Sequence, residues 1–304
     1  MISQNNIAGM TFMACMLHSF LLQAQNNAEL KRIFYTSTAD QSEREFLLFL
    51  PKGYGDDPKK EWPVLLFLHG NGERGNGTTE LDFVMVHGPL YEAWIQKRNL
   101  PFIIIGPQLH MFGMDAHAKY IADRTLDQLP KQLNEGTPER EAKWKSDVQV
   151  NGSISDINYP YKAWGPPMGW EKVERDLINI LDSVNENYQA DPSRTYLTGL
   201  SYGGFGTWYM ASKYPEKFAA ISPVVGWGHV ELMKPLAESK MPIWCFAGGR
   251  DQVIEVKYFY PGLNELERLG HEVRFTIQSD MGHDTWKRVY AGEDIYNWFL
   301  SYSR

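Results

Sequence analysis

The sequence has 304 residues, and its 30 basic and 37 acidic side chains give a formal net charge of −7. Hydrophobic residues make up 43% and aromatic residues 13% of the chain, which fits a packed globular protein and excludes a disordered one. The acidic balance, without a run of lysine or arginine, argues against nucleic acid or an anionic membrane as a partner. Two cysteines cannot form a disulfide framework, and the CxxC and HxxxH spacings of zinc sites are missing.

The first 24 residues are predicted to be a secretory signal peptide. Residues 1–25 carry no charged side chain, and residues 7–22 are mostly apolar, a run too short for a membrane span of roughly 20 apolar residues. Cleavage is expected after Ala24, although the segment lacks the basic residues with which signal peptides usually begin. A buried N-terminal helix is the alternative. The expected location is secreted or periplasmic, without stable membrane insertion after processing, and residues 25–304 are expected to form one domain.

Beyond residue 30, short β-rich runs alternate with helical stretches, which predicts an α/β fold with a mostly parallel central sheet and helices on both faces. The run Pro63–Leu68 is nearly all apolar, as expected of a strand that is covered on both sides. The predicted strands are 46–50, 63–68, 102–105, 195–198, 219–225, 243–247 and 273–277, and the predicted helices are 169–188, 203–213, 256–269 and 285–300.

One segment, residues 109–166, has no strong strand pattern and is too long for a connecting loop in a compact domain. We expect a lid-like or cap-like insertion near the active site; a surface insertion without a role is the alternative. Its aromatic residues Trp144, Tyr159, Tyr161 and Trp164 are of the kind that stacks on sugar or phenolic rings. Tyr161 and Trp164 are candidate substrate contacts, with Trp164 expected nearest the nucleophile unless it only anchors the insertion.

A nucleophile motif lies where a predicted strand meets a predicted helix. Residues 199–203 read G-L-S-Y-G and follow the strand 195–198 directly, which is the context that the G-x-S-x-G elbow requires. The glycines on either side of Ser201 let the strand and the helix approach closely. We therefore expect Ser201 to be a catalytic nucleophile.

A base and an acid are expected after the last two predicted strands, in the chain order Ser, Asp, His. His283 follows the strand 273–277, whereas His271 precedes it and would lie at the wrong edge of the sheet. Asp251 follows the strand 243–247 and is the predicted partner of the imidazole. Asp280 and Asp284 flank the histidine in its own loop and are the rival acids.

An oxyanion hole needs two backbone N–H groups that face the developing negative charge. Tyr202, the residue after the nucleophile, is expected to supply one of them. Asn71, in the glycine-rich loop 69–75 after the strand 63–68, is expected to supply the other. Glu73 and Arg74 in the same loop are expected to form an ion pair, with two solvated charges as the alternative.

Six motifs together resemble the secreted α/β-hydrolases, a group that includes feruloyl and acetyl-xylan esterases, polyhydroxybutyrate depolymerase-like proteins and predicted prolyl-oligopeptidase-type peptidases. The resemblance covers roughly residues 30–108 and 167–304, and the insertion 109–166 departs from it. It implies the α/β-hydrolase fold, a metal-independent Ser/Asp/His mechanism without a cofactor, and ester substrates, often on plant polysaccharides. The motifs are His69–Gly75, His87–Pro89, Pro101–Gln108, Arg194–Trp208, Gly282–Trp286 and Tyr296–Leu300.

The triad pattern and this resemblance together predict a serine carboxylic-ester hydrolase that works through an acyl-enzyme. The resemblance implies a carbohydrate-linked ester of acetyl or feruloyl type, on a small molecule or a polysaccharide, as the substrate. A serine peptidase of prolyl-oligopeptidase type would use the same triad. A non-catalytic carbohydrate-binding protein is a further alternative, but such a protein would not need the serine, acid and histidine of a triad.

Overall fold

A single eight-stranded sheet forms the centre of the computed structural model, which describes residues 27–133 and 158–304. The strand order is β1-β2-β4-β3-β5-β6-β7-β8; β2 is antiparallel to both β1 and β4, and the remaining neighbours are parallel. The strands are β1 (Glu29–Thr36), β2 (Glu43–Leu50), β3 (Trp62–Leu68), β4 (Ile103–Gly106), β5 (Ala190–Leu200), β6 (Ala220–Val224), β7 (Trp244–Gly248) and β8 (Arg274–Gln278).

Helices cover both faces of this sheet. Side chains of β3 alternate between two buried clusters, because successive residues of a strand point to opposite faces. One cluster includes residues of α3 to α6, and the other includes residues of α1, α7 and α8. The helices are α1 (Gly88–Leu90), α2 (Lys119–Ala122), α3 (Glu174–Asn187), α4 (Tyr202–Lys213), α5 (Met233–Ser239), α6 (Tyr260–Arg268), α7 (Trp286–Ala291) and α8 (Asp294–Leu300).

The predicted fold class, a mostly parallel α/β sheet with helices on both faces, is confirmed. Each of the seven predicted strands overlaps an observed one, but β1, α1, α2 and α5 were not predicted. The predicted helix 285–300 is two helices, α7 and α8, because the chain leaves the helical conformation at Gly292. The strand β1 escapes recognition because it lies at the edge of the sheet, where its residues are only partly buried and many are polar.

The parallel strands bring the loops that carry the candidate residues to one edge of the sheet. The loops after β3, β5, β7 and β8 all leave the carboxyl ends of parallel strands, which is where ligands bind in open α/β sheets. Residues 109–133 and 158–166 of the insertion are described, whereas Trp144 and the predicted signal peptide 1–24 lie outside the described residues. Within residues 27–133 and 158–304, no helix has the length and apolar character needed to cross a membrane.

Candidate active site

Ser201 lies on the sharp turn between β5 and α4, with a φ of +52° and a ψ of −115°. A non-glycine residue at positive φ is strained, and surrounding contacts must hold it there. Here the backbone N–H of Ser201 donates a hydrogen bond of 2.9 Å to the carbonyl oxygen of Val224 at the end of β6. The turn thus presents the Ser201 hydroxyl at the N-terminus of α4, above the edge of the sheet.

The glycines of the motif are required by the space around this turn. A Cβ atom on Gly203 would lie 1.8 Å from the carbonyl oxygen of Leu68, and one on Gly199 would lie 2.3 Å from the carbonyl oxygen of Gly203. Backbone atoms at these distances cannot move aside without moving β3 or α4. The close packing of β3, β5 and α4 therefore depends on the absence of side chains at both positions.

His283 meets Ser201 from the loop after β8. Its Nε2 lies 3.1 Å from Ser201 Oγ, within hydrogen-bond distance. The indole ring of Trp286 packs edge-on against the imidazole, with the ring centroids 5.1 Å apart. His283 is thus placed to accept the hydroxyl proton of Ser201.

Asp251, in the loop after β7, holds the other side of the imidazole. Its Oδ2 lies 2.8 Å from His283 Nδ1, and the carboxylate is fully buried. Its Oδ1 accepts hydrogen bonds of 2.8 Å from the backbone N–H groups of Val253 and Ile254. The carboxylate is therefore fixed in place and favours the imidazole tautomer that carries its proton on Nδ1.

The two rival acids are engaged with cations of their own. Asp280 accepts two hydrogen bonds of 2.7 Å from the guanidinium of Arg288, which holds the pKa of Asp280 down to about 2. Asp284 pairs with Lys287 at 3.0 Å. The structure therefore brings Asp251, and not these two residues, together with the imidazole.

Two other residues with reactive side chains, His271 and Cys245, are not part of the triad. His271 precedes β8, and its backbone N–H bonds to the carbonyl oxygen of Leu266 at the end of α6. Cys245 is buried inside β7, where burial raises the pKa of its thiol well above the usual range. A thiol that stays protonated is a poor nucleophile, so Cys245 is part of the core.

Asn71 and Tyr202 both line the cavity that contains Ser201. Each is the first residue of a helix, Asn71 of the 3-10 helix Asn71–Glu73 and Tyr202 of α4, so that the helix itself offers their N–H groups no acceptor. The side chain of Asn71 is already engaged: Oδ1 accepts from Arg74 Nε and Nδ2 donates to the hydroxyl of Tyr120, both at 2.5 Å. The backbone N–H of Asn71 is thus the donor that this residue can offer to a substrate.

His69 fixes the start of the same loop. Burial lowers the pKa of His69 to about 3, so the imidazole is neutral at neutral pH. A neutral imidazole has one donor and one acceptor, and here Nδ1 lies 2.6 Å from the carbonyl oxygen of Gly70 while Nε2 accepts from the N–H of Leu109 at 2.9 Å. These bonds join the loop after β3 to the start of the insertion.

The predicted ion pair between Glu73 and Arg74 is wrong: no such pair forms among the described residues, since Arg74 points toward Asn71. Glu73 lies instead between two imidazoles, 3.9 Å from His69 Nδ1 and 3.9 Å from His87 Nε2. Burial raises the pKa of Glu73 to about 7 and lowers that of His87 to about 4. Because both imidazoles are neutral at neutral pH, neither approach is an ion pair.

A cavity of about 360 Å³ lies over Ser201 and His283. Its walls combine the loops after β3, β7 and β8, the elbow and both described ends of the insertion. Five aromatic side chains take part in these walls: Tyr120, Tyr161, Tyr202, Phe205 and Trp286.

The two candidate substrate contacts of the insertion have different positions. Tyr161 lines the cavity and packs against Phe205 and Trp227, with ring centroids 5.7 Å and 6.0 Å apart. Trp164 is 42% exposed and does not line the cavity, which corrects the expectation that it lies nearest the serine. The reason is the turn at Gly165, whose φ of +99° brings the backbone, rather than the Trp164 ring, against Phe205.

Several residues of the cavity were not predicted from the sequence. Trp286 could have been identified, because it lies three residues after His283 in the same motif. Tyr120 and Arg124 follow no recognisable pattern, yet Tyr120 lines the cavity and Arg124 donates a hydrogen bond of 2.6 Å to the carbonyl oxygen of Gly72.

The described part of the chain shows no group of three or more histidine, cysteine or acidic side chains arranged to hold a metal ion.

Comparison with known sequences gives matches to parts of the chain. The model of the prolyl oligopeptidase family matches residues 168–235. A poly(3-hydroxyalkanoate) depolymerase C of Paucimonas lemoignei is 47% identical over 66 residues, 21% of this chain. A bifunctional acetylxylan esterase/xylanase of Neocallimastix patriciarum is 27% identical over 133 residues, 42% of this chain. The matched parts amount to 16% and 18% of these two relatives.

Comparison with solved structures extends over nearly the whole chain. The crystal structure of a thermostable esterase superposes with a TM-score of 0.60 at 23% sequence identity, covering 90% of this chain and 63% of that one. A likeness at this identity establishes the fold. Together with the sheet order and the elbow, it confirms the α/β-hydrolase fold that the resemblance noted in the sequence implies.

Proposed function

We propose that the chain is a serine hydrolase that cleaves carboxylic esters through an acyl-enzyme. The observation that carries this proposal is the hydrogen-bonded series from Ser201 Oγ to His283 Nε2 (3.1 Å) and from His283 Nδ1 to Asp251 Oδ2 (2.8 Å). A nucleophile, a base and an orienting carboxylate in this order are the groups that acyl transfer uses.

In the acylation step, Ser201 attacks the ester carbonyl carbon while His283 Nε2 takes the hydroxyl proton. The carbonyl oxygen becomes an oxyanion, which the backbone N–H groups of Tyr202 and Asn71 stabilise. When the intermediate collapses, the bond to the alcohol oxygen breaks, and His283 gives its proton to the leaving alcohol. Asp251 stabilises the imidazolium that exists between these two proton transfers.

In the deacylation step, a water molecule takes the place of the alcohol. His283 removes a proton from this water as it attacks the acyl carbon, and the same N–H groups stabilise the second oxyanion. Collapse releases the carboxylic acid and returns the proton to Ser201 Oγ. The cycle balances with one water consumed for each ester bond cleaved, and it needs no cofactor.

We propose a carbohydrate-linked ester of acetyl or feruloyl type, on a small molecule or a polysaccharide, as the substrate. The similarity to an acetylxylan esterase/xylanase supports the carbohydrate-linked ester. The similarity to a poly(3-hydroxyalkanoate) depolymerase, whose substrate is a polyester, supports ester cleavage in general. The aromatic walls of the cavity, with Tyr120 and Tyr161 on the side of the insertion, also suit a sugar or phenolic ring.

A panel of substrates tests the proposal. The purified chain and its Ser201→Ala variant are assayed with p-nitrophenyl acetate, methyl ferulate and acetylated xylan, and Ser201 is probed with a fluorescent fluorophosphonate. We expect hydrolysis and labelling by the wild type and neither by the variant. An unlabelled, inactive but folded wild type would overturn the assignment.

A peptidase is the second candidate, because the family model that matches residues 168–235 is that of the prolyl oligopeptidases. Peptide anilides assayed beside the esters separate the two. Amide hydrolysis with a kcat/KM above that of every ester would favour the peptidase.

We further propose that the chain is exported and that residues 1–24 are removed. The uncharged, apolar stretch 7–22 supports this. N-terminal sequencing of the protein recovered outside the cytoplasm of its own host should begin at residue 25, and an intact Met1 on that material would contradict the proposal.

A further inference from the structure

A single buried guanidinium lies between the two halves of the proposed oxyanion hole. Arg74 has no solvent exposure, and its hydrogen bonds go to neutral oxygen atoms. Its Nε donates to Asn71 Oδ1 at 2.5 Å, its Nη1 to the carbonyl oxygen of His110 at 2.9 Å, and its Nη2 to the carbonyl oxygen of Met168 at 2.6 Å. Arg74 thus joins the loop after β3 to the start of the insertion, at His110, and to Met168, two residues after the end of the insertion.

The same guanidinium faces Tyr202. Its central carbon lies 4.9 Å from the centroid of the Tyr202 ring, within the distance of a cation–π contact. Tyr202 begins α4, and Asn71 begins the 3-10 helix of the loop after β3. These two helices belong to separate segments of the chain, and Arg74 touches the first residue of each.

The amide of Asn71 is held from two sides. Arg74 donates to its oxygen and the hydroxyl of Tyr120 accepts from its nitrogen, each at 2.5 Å. Because donor and acceptor lie on opposite sides, the amide has one favourable orientation. A residue held in this way keeps its backbone N–H in a constant direction.

We infer that Arg74 is the positioning residue of the oxyanion hole, which it builds by holding Asn71 and Tyr202 in one arrangement. The inference rests on the proposed function. A lysine could keep the charge but could not make three in-plane hydrogen bonds while its cation lies over a ring, since an ammonium lacks the planar fork of arginine. Arg74→Lys therefore separates the geometry of the guanidinium from its charge.

The test compares Arg74→Lys with Arg44→Lys as a matched control. Arg44 is also buried and donates to the carbonyl oxygens of Gly75 and Gln108, at the far end of the same loop, but it has no contact with Asn71 or Tyr202. For Arg74→Lys we expect kcat on p-nitrophenyl acetate to fall about 10²-fold, the cost of a lost oxyanion donor, with KM changed less than about threefold. For Arg44→Lys we expect a lower Tm but a kcat within about threefold of the wild type.

A second measurement distinguishes positioning from general support of the fold. A phenylboronic acid forms a tetrahedral adduct with the serine, and one of its oxygen atoms occupies the oxyanion hole. Its Ki should rise for Arg74→Lys by about the same factor as kcat falls, whereas Arg44→Lys should leave it unchanged. If Arg74→Lys does not fold, Asn71→Ala, which removes the acceptor of Arg74 Nε but keeps the backbone N–H, should give the same parallel changes.

Two outcomes would overturn the inference. One is an Arg74→Lys variant with wild-type kcat and boronate affinity; the other is an equal loss of kcat in the Arg44→Lys control. Failure of the proposed function would look different, because the wild type itself would then neither hydrolyse the ester nor react with a fluorophosphonate.

Discussion

Asp251 contacts His283 with one carboxylate oxygen, 2.8 Å from Nδ1, while its other oxygen accepts two backbone N–H groups of its own loop. The two residues follow neighbouring parallel strands, β7 and β8, so the sheet brings them together although they are 32 positions apart. The backbone bonds prevent the carboxylate from rotating away. Its function is thus to maintain one tautomer and one orientation of the imidazole.

We therefore expect Asp251→Asn to lower kcat by about 10³- to 10⁴-fold, as the analogous change does in a serine protease. An amide nitrogen facing Nδ1 favours the tautomer with its proton on Nε2, which cannot accept the proton of Ser201. Steady-state kinetics on p-nitrophenyl acetate measures the effect. Asp280→Asn is the control: it loses the bonds to Arg288 but should keep kcat within about threefold. A crippled control beside an active Asp251→Asn variant would assign the acid to Asp280.

Ser201→Ala should lower kcat by at least about 10⁴-fold, because no other group near His283 can replace the hydroxyl as nucleophile. The fold should persist, since alanine adds no atom to a position where the strained φ of +52° is already present. Near-ultraviolet circular dichroism and Tm should match those of the wild type. Ester turnover at more than a hundredth of the wild-type rate by a preparation free of host esterase would contradict the nucleophile assignment.

Much of the site could be predicted because parallel strands end at the same edge. Ser201, Asp251 and His283 each follow a recognisable strand. The strand order of an α/β sheet is therefore enough to predict that the three side chains lie together. The contacts of Arg74 could not be predicted in this way. They join three loops, and the sequence contains no periodicity that specifies which loop side chain faces which carbonyl. Its neighbour Glu73 was misassigned for the same reason.

The environment of Glu73 predicts a pH dependence of stability. Its pKa is raised from 4.5 to about 7 by burial, so the folded state binds this proton more tightly than the unfolded state. A raised carboxyl pKa makes stability fall as pH rises from about 4.5 to about 7, with no further change above that range. Glu73→Gln cannot ionise, so its free energy of unfolding relative to the wild type should rise by about 1–3 kcal/mol between pH 5 and pH 8.

Urea unfolding at the two pH values measures this difference for Glu73→Gln. Glu265 offers a control, because it is a half-buried glutamate paired with Arg268, and its pKa is lowered rather than raised. Glu265→Gln should not gain stability relative to the wild type as pH rises. A difference between Glu73→Gln and the wild type that stays constant from pH 5 to pH 8 would show that Glu73 ionises normally in the folded protein.

Tyr161 and Trp164 provide a comparison within the insertion, since only Tyr161 lines the cavity. The Tyr161 ring packs against Phe205 and Trp227, which fixes the face that it presents to a substrate. Tyr161→Ala should therefore lower kcat/KM on methyl ferulate by about 10-fold or more through lost ring contact, with a much smaller effect on p-nitrophenyl acetate. Trp164→Ala should leave both values within about twofold, because the Trp164 side chain does not line the cavity and is 42% exposed. If Tyr161→Ala lowered kcat/KM equally on both esters, the result would mean that Tyr161 supports the elbow through Phe205. A selective loss for Trp164→Ala instead would place the bulky part of the substrate outside the cavity described above.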